Sequence, residues 1–221
     1  PGGFNPLSRI LEDSIDFGRL AHARTRLFTT ATTVRTGRGR VFRNAELTPD
    51  VLLASACLPM MFQAVEIDGE PYWDGGFTGN PTITPLVREC ESSDTVLVQI
   101  SPVERPQAPR TAHGINERVK EIAFNASLLN ELRMMAVLRR AAAPGSGEGR
   151  RWSGMRIHRI GGEELGGLGS SSKLNAEWSF LCMLRDKGRQ AVERFMADHG
   201  GDLNRRCSFG LDAFLDGASA T

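Results

Sequence analysis

Strands joined by short turns are predicted in the first third of the chain from the pattern of apolar and polar positions. Residues 26–34 (RLFTTATTV) are rich in β-branched and aromatic side chains, which favour a strand. Residues 41–42 follow a glycine turn and are predicted to return antiparallel to it. Residues 64–73 (AVEIDGEPYW) carry Asp-Gly at 68–69 between two short strand-forming stretches, which is the pattern of a β-hairpin with a two-residue turn.

Apolar residues recur at three- and four-residue steps in other segments and predict helices. Thr48 and Asn80 each precede a proline, the usual combination of a capping side chain with proline at the first helical position. The longest segment has two apolar stripes and is expected to be covered on more than one side. The residues that the last helix is expected to turn inward are Trp178, Leu181, Leu184, Ala191 and Phe195. In chain order, the predicted helical segments are 7–23 (one or two short helices), 48–58, 80–90, 115–138 and 175–199.

Two later segments are predicted as strands and set the fold class. Residues 94–100 (DTVLVQI) form an apolar run between polar residues, as expected of a parallel strand buried on both faces. Residues 155–160 (MRIHRI) are the second strand, and 144–151 and 161–172 are predicted as a flexible link and a loop. Because strands alternate with helices, an α/β fold around a largely parallel central sheet is predicted, in a single domain over residues 1–221.

Composition excludes several kinds of partner and site. The chain has 221 residues, 40% of them apolar, which is enough for a full core. Its formal charge is +1, with acidic and basic residues interleaved, so no nucleic-acid-binding surface is predicted. The four cysteines and four histidines lack the spacing of disulfide frameworks or metal sites, so no metal or other cofactor is expected. No apolar run approaches the roughly 20 residues of a membrane-spanning helix.

Residues 71–81 (PYWDGGFTGNP) contain the strongest candidate for chemistry. Asp74 follows a predicted strand and precedes Gly75 and Gly76, which permit a positive φ and let another segment approach closely. An isolated Asp-Gly pair is most often only a turn, and 68–69 is interpreted as one. Asp74 is distinguished by the order of the elements around it, which is a capped helix, a hairpin, Asp-Gly-Gly and then Asn-Pro.

This order resembles the patatin-like acyl hydrolases. In that family a helix with a small-residue Ser-Ala…Pro segment precedes Asp-Gly-Gly or Asp-Gly-Ala, and Asn-Pro follows closely. The corresponding residues here are Ser55-Ala56 and Pro59, then Asp74-Gly75-Gly76, then Asn80-Pro81. Flanking segments also resemble bacterial members of the family, so the resemblance covers nearly the whole chain, although its specific motif is confined to 54–81.

The resemblance implies a three-layer patatin-like sandwich and a Ser-Asp dyad without histidine. A serine in a G-x-S-x-G turn would attack the ester carbonyl, backbone amides of a glycine-rich loop would stabilise the oxyanion, and Asp74 would accept the serine proton. Gly75 and Gly76 would shape the turn, and Asn80 would cap the next helix. An ordinary aspartate, with a pKa of about 3.9, is a poor base for a hydroxyl, so the site has to exclude water and hold the serine within reach.

Residues 1–221 contain neither G-x-S-x-G nor the glycine-rich loop, and they begin with Pro1 rather than methionine. In the family both elements precede the segment that Pro1 begins. We therefore expect a patatin-like domain that is incomplete at its N-terminus, supplies the aspartate, associates with its own N-terminal fragment and is inactive alone.

Several residues have two interpretations. Trp73 and Phe77 either line an acyl pocket or pack within the hairpin. Cys57 is expected to be a buried thiol rather than a nucleophile. The histidines are expected at the surface or in satisfied structural positions. The alternative is a Ser-His-Asp triad that uses one of them, although no serine lies in a recognisable elbow.

The predicted function is hydrolysis of carboxylic esters in lipids. Phospholipids or other glycerolipids are the usual substrates of the family, and soluble thioesters, short synthetic esters and polyester granules are compatible with the same dyad. Transient contact with a membrane surface is expected, and a cytoplasmic location is favoured. The alternative is a non-catalytic patatin-fold module that binds lipid or a protein partner.

Overall fold

The computed structural model describes residues 6–105, 107–143, 145, 147–162, 165, 168, 172 and 175–214. The chain divides into two compact units, Pro1–Leu86 and Val87–Thr221, which are described separately. The first unit contains α1 (Pro6–Ser14), α2 (Phe17–Ala21), β1 (Phe28–Thr33), β2 (Gly39–Arg43), α3 (Pro49–Ser55), β3 (Val65–Ile67) and β4 (Glu70–Asp74). These elements confirm the strands and helices that the pattern predicts in this region.

The four strands of the first unit form one antiparallel sheet in the order β2-β1-β4-β3. Residues Asp68 and Gly69, with φ of 53° and 76°, make the turn between β3 and β4. Positive φ at both central residues is what a two-residue hairpin turn requires, so the prediction from Asp-Gly is confirmed. Between β1 and β4 the register pairs Ala31 with Asp74 and Thr32 with Trp73.

The core of the first unit lies between this sheet and α3. Thr48 caps α3 by accepting a hydrogen bond from the Val51 amide, and Pro49 occupies the first turn, as predicted. The rings of Phe42 and Tyr72 meet edge to face with centroids 5.7 Å apart. The buried side chains of this core are Ala31, Phe42, Leu47, Val51, Ala54 and Tyr72.

The second unit has longer helices and a smaller sheet. Helix α4 (Thr84–Glu89) crosses the boundary between the units, and it is followed by β5 (Asp94–Gln99), α5 (Ala112–Ala141), α6 (Gly147–Ser153), β6 (Arg156–Gly161) and α7 (Trp178–His199). Strands β5 and β6 pair in parallel, with Asp94 opposite Arg156. The long helix and the two strands were predicted. Across the described residues, no helix combines the length and apolar character needed to cross a membrane.

The expectation of a largely parallel sheet is wrong for the described strands, of which only β5 and β6 pair in parallel. In the first unit short hairpins join β1 to β2 and β3 to β4, and a parallel pair would need a longer crossover connection. The mixed α/β class is confirmed. Strand β5 also differs from the prediction, because Val96 and Val98 are 45% and 66% exposed while Leu97 is buried.

Three helix predictions need correction. The helix expected at 80–90 begins only at Thr84, and Asn80 lies in a turn with a cis bond to Pro81. The predicted flexible link is partly helical, since 147–153 form α6. In α7, Trp178 and Leu181 are exposed, contrary to the prediction, whereas Phe195 is buried as predicted.

The apolar stripes of α5 are only partly covered in the described structure. Its C-terminal half buries Leu128, Leu132, Met135 and Ala136, whereas Ile115, Val119 and Ile122 are about half exposed. Helical periodicity identifies an apolar face but not what covers it. The predicted loop at 161–172 lies mostly outside the described residues.

Candidate active site

Asp74 lies at the end of β4 and is fixed by both its main chain and its side chain. Its amide donates to the carbonyl oxygen of Cys57 at 2.9 Å, which ties the strand end to the residues that follow α3. Its carbonyl oxygen accepts from the Thr32 hydroxyl at 2.8 Å. Its Oδ1 accepts from the Gly76 amide at 2.7 Å, so the carboxylate caps the short 3₁₀ turn Gly75–Phe77.

The Asp74 carboxylate has no cationic partner among the described residues. Gly76 provides the one hydrogen bond that its side chain accepts there, and that bond reaches Oδ1. Hydrogen bonding from one amide fixes the orientation of the group without neutralising its charge. Asp74 is also partly exposed rather than sealed in the core. The carboxylate is therefore oriented and able to accept a further hydrogen bond.

Gly75 is required by a close approach of two backbone segments rather than by a positive φ. A Cβ atom at this position would lie 2.0 Å from the carbonyl oxygen of Thr30 in β1. Positive φ occurs at Gly37 and Gly69 but not at Gly75 or Gly76, so that part of the sequence-based expectation is wrong. Close approach of another segment, the second reason given for these glycines, is confirmed at Gly75.

A set of threonine hydroxyls holds the turn that follows Asp74 against β1. Thr30 donates to Thr82 at 3.0 Å, and the hydroxyl oxygens of Thr32 and Thr78 lie 2.9 Å apart. Because side chains alternate along a strand, Thr30 and Thr32 share one face of β1 while Ala31 enters the core from the other. Sequence reasoning missed this set, although the alternation in FTTATT was its signal.

Trp73 and Phe77 lie in different surroundings. Trp73 is partly buried and pairs with Thr32 across the sheet. Because adjacent side chains of a strand lie on opposite faces of the sheet, the Trp73 and Asp74 side chains lie on opposite faces. Phe77 keeps 58% of its surface exposed, so it does not pack into the core of this unit. The pocket role of both residues stays a prediction.

An exposed apolar segment, Leu58–Phe62, begins one residue after Cys57 and so lies beside the end of β4. Leu58, Met60, Met61 and Phe62 are 42%, 97%, 55% and 45% exposed. The segment is an ordered turn, since the amides of Met61 and Phe62 both donate to the Leu58 carbonyl at 3.0 Å. It contains no charged residue. An apolar surface of this kind is suited to a hydrocarbon chain.

Cys57 directly precedes this segment, and its carbonyl oxygen accepts a hydrogen bond from the Asp74 amide. It is 4% exposed, and its thiol donates to the Gln63 carbonyl at 3.1 Å. Burial raises the pKa of the Cys57 thiol, the charge of Asp74 adds to that rise, and a hydrogen bond with the Val65 backbone opposes it. A thiol that stays protonated and buried is a poor nucleophile, which agrees with the sequence-based interpretation of Cys57.

The comparisons with known proteins concern this first unit. The family model for patatin-like phospholipases matches residues 3–87, a range that includes α3, the hairpin, Asp74 and the glycine turn. No curated protein was found to match the chain. The family assignment that the sequence motif indicates is thus supported over the segment that carries the candidate site.

Proposed function

We propose that this chain, patatin-like over residues 3–87, supplies the general base Asp74 to a hydrolase of lipid carboxylic esters. The observation that carries the proposal is the placement of Asp74. Its carboxylate stands at a strand end, oriented by one amide and without a cationic partner in the described structure. An exposed apolar segment lies beside it.

In the proposed reaction a serine hydroxyl attacks the ester carbonyl while Asp74 accepts its proton. The alcohol then leaves with that proton, and an acyl-serine remains. Water attacks the acyl-serine, Asp74 accepts a proton from the water, and the serine recovers it as the fatty acid is released. No G-x-S-x-G serine occurs in residues 1–221, so the attacking serine would belong to a segment outside them.

The fold proposal follows from the same reasoning. The proposed fold is a patatin-like three-layer sandwich that is completed by the segment that bears the nucleophile. That segment would be the protein partner of this chain, and the oxyanion-stabilising amides would come from it as well. The role of Gly75 would be to let the Asp74 turn lie directly against β1.

The substrate class is argued from the surface beside Asp74. An uncharged, ordered turn that exposes Leu58, Met60, Met61 and Phe62 suits an acyl chain better than a small polar ester. Phe77, which is exposed three residues after Asp74, would extend the same acyl contact. Transient contact with a lipid surface would deliver the substrate to this position.

The decisive variant is Asp74→Asn in the full-length gene product. Asparagine keeps a side-chain oxygen that can accept the Gly76 hydrogen bond, so the turn should survive while the base is lost. We expect hydrolysis of a long-chain nitrophenyl ester to fall by roughly 10²- to 10⁴-fold. Far-ultraviolet circular dichroism should stay unchanged.

Asp68→Asn is the matched control for this variant. Asp68 also precedes a glycine in the same hairpin, and its φ of 53° is one that asparagine adopts readily. The activity of Asp68→Asn should stay within about twofold of the parent activity, whereas Asp74→Asn should lose most of it. Unchanged turnover in Asp74→Asn, with the fold intact, would return Asp74 to the role of a turn residue.

The second candidate, a non-catalytic module that binds lipid, is favoured by the exposed apolar turn alone. It requires no proton acceptor. Under this alternative the full-length protein binds vesicles through Leu58–Phe62, and Asp74→Asn changes neither binding nor any rate. The pair of variants above, measured for binding and hydrolysis together, separates the two functions.

A further inference from the structure

Three side chains of the second unit form a hydrogen-bonded row that lies outside the Asp74 site. His158 Nε2 lies 2.9 Å from Asp94 Oδ1, and His158 Nδ1 lies 2.9 Å from the Ser208 hydroxyl oxygen. The three residues come from three segments, since His158 is 64 positions after Asp94 and Ser208 is 50 positions after His158. Each end of the imidazole therefore has one defined partner.

The parallel sheet brings the row together. Asp94 begins β5 opposite Arg156 of β6, and His158, two residues further along β6, leaves the sheet on the same face as Arg156. The Phe209 amide donates to the Ile157 carbonyl oxygen at 3.2 Å, which holds the chain at Ser208 alongside β6. Main-chain hydrogen bonds thus position all three side chains.

The partners of His158 determine its tautomer. A carboxylate can only accept, so Nε2 carries the proton that is donated to Asp94. In the neutral imidazole with this tautomer, Nδ1 holds a lone pair and can accept the proton of the Ser208 hydroxyl. Hydrogen bonds from Arg156 hold the pKa of the Asp94 carboxyl far below its ordinary value, with smaller contributions from His158 and the Asn204 amide, while burial opposes the shift. Asp94 therefore remains an acceptor across the working pH range.

Burial differs along the row in the way that a reactive serine requires. His158 is fully buried, and the Phe195 ring meets it edge-on with centroids 6.1 Å apart. Asp94 keeps 10% of its side-chain surface. Ser208, at the other end of the row, is partly exposed. A buried imidazole that is hydrogen-bonded on one side to a carboxylate and on the other to the hydroxyl of a partly exposed serine is the arrangement that activates a serine nucleophile.

We propose that Ser208 is a second nucleophile, acylated by small activated esters, with His158 as its general base and Asp94 orienting the imidazole. The Ser208 oxygen forms a bond to the acyl carbon, and its proton passes to His158 Nδ1. The bond to the leaving alkoxide or phenolate breaks, the leaving group takes that proton, and an acyl-Ser208 ester remains. Full burial of His158 restricts this site to small acyl groups. The step makes no use of Asp74.

The test uses the 221-residue chain and a small alkyl fluorophosphonate, with tandem mass spectrometry to locate the modified serine. Ser153 is the internal control, because it is also partly exposed but its hydroxyl donates to the Arg150 carbonyl oxygen and has no histidine partner. We expect Ser208 to be labelled roughly 10²-fold faster than Ser153. In concentrated urea the chain is unfolded and the hydrogen-bonded row is lost, so Ser208 and Ser153 should be labelled at similar rates. Nitrophenyl acetate should add one acetyl group at the same residue.

Three variants complete the design. Ser208→Ala should abolish the fast labelling, and Ser153→Ala should leave it unchanged. Asp74→Asn should also leave it unchanged, so failure of the proposed lipid hydrolase and failure of this proposal are separate results. Equal labelling of Ser208 and Ser153 in the folded chain, or a preference that persists in urea, would overturn the assignment and leave the row as a structural support.

Discussion

Two aspartates at strand ends have opposite surroundings and therefore different capacities. Asp94 accepts hydrogen bonds from Arg156, His158 and the Asn204 amide. These bonds keep the carboxylate ionised and occupy most of its acceptor positions. Asp74 accepts one hydrogen bond from a backbone amide and forms no ion pair among the described residues. A base has to be free to take a proton, so Asp74 is suited to proton transfer and Asp94 to orientation.

Gly75→Ala should destabilise the first unit. The added Cβ would lie 2.0 Å from the Thr30 carbonyl oxygen, and backbone atoms on both sides would have to move. We expect a loss of about 2 kcal/mol or more in the free energy of unfolding, measured by urea denaturation. Gly188→Ala is the control, because Gly188 is inside α7 and nothing lies within 4 Å of the added atom.

The control variant should gain rather than lose stability. Alanine in a helix interior is favoured over glycine by roughly 0.5–1 kcal/mol. A Gly75→Ala variant as stable as the parent would mean that the turn after Asp74 can separate from β1 at little cost.

At the scale of elements, Asp94 connects three segments that are distant in the sequence. Its carboxylate joins the start of β5 to Arg156 of β6 and to the amide of Asn204. Because the Arg156 pair keeps Asp94 only 10% exposed and well hydrogen-bonded, this group should contribute more than a surface ion pair does. One ionised group therefore joins three segments of the second unit.

Asp94→Asn should destabilise the second unit by about 2 kcal/mol at pH 7, the scale of hydrogen bonds to a charged group. Folding lowers the pKa of Asp94, so its contribution is complete above the ordinary aspartate pKa of about 4 and disappears as the pH falls toward the lower folded value. The difference between parent and variant in urea denaturation should stay constant from pH 7 to about 4 and shrink only below that. A difference that already shrinks between pH 7 and 5 would contradict this.

Local signals in the sequence identified most elements because their causes are local. The Asp68-Gly69 turn, the Thr48 cap and the Asp-Gly-Gly turn each depend on residues within a few positions. The reason for Gly75 could not be read in this way, because it is the Thr30 backbone, which a different strand supplies. The same holds for the row from Asp94 to Ser208, which only the parallel pairing of β5 with β6 assembles.

At the scale of the whole molecule, the apolar surface is the feature that sequence patterns describe least well. Apolar stripes were predicted for β5 and α5, yet Val96, Val98, Ile115 and Val119 are exposed in the described structure. Periodicity reports that a face is apolar, whereas burial depends on what packs against it. The same limit applies to Leu58–Phe62, where apolar residues occupy a turn.

The chain should bind phosphatidylcholine vesicles through Leu58–Phe62. Replacing Met60 with Gln and Phe62 with Ser removes two exposed apolar side chains, which should weaken binding about tenfold in a vesicle sedimentation assay. Met196→Gln is the control, because Met196 is 50% exposed on α7, in the second unit. If Met196→Gln weakened binding equally, the vesicles would be bound by nonspecific contact with exposed apolar residues rather than through Leu58–Phe62.

The position of Cys57 has a practical consequence. Of the four free thiols, Cys57 is the buried one, and its own carbonyl holds the Asp74 amide. Alkylating reagents can reach it only when the structure around Cys57 and the end of β4 opens, so the rate of its modification reports how often that opening occurs. The alkylation rate of Cys57 is thus a built-in measure of local opening around Asp74, and it requires no introduced cysteine or other label.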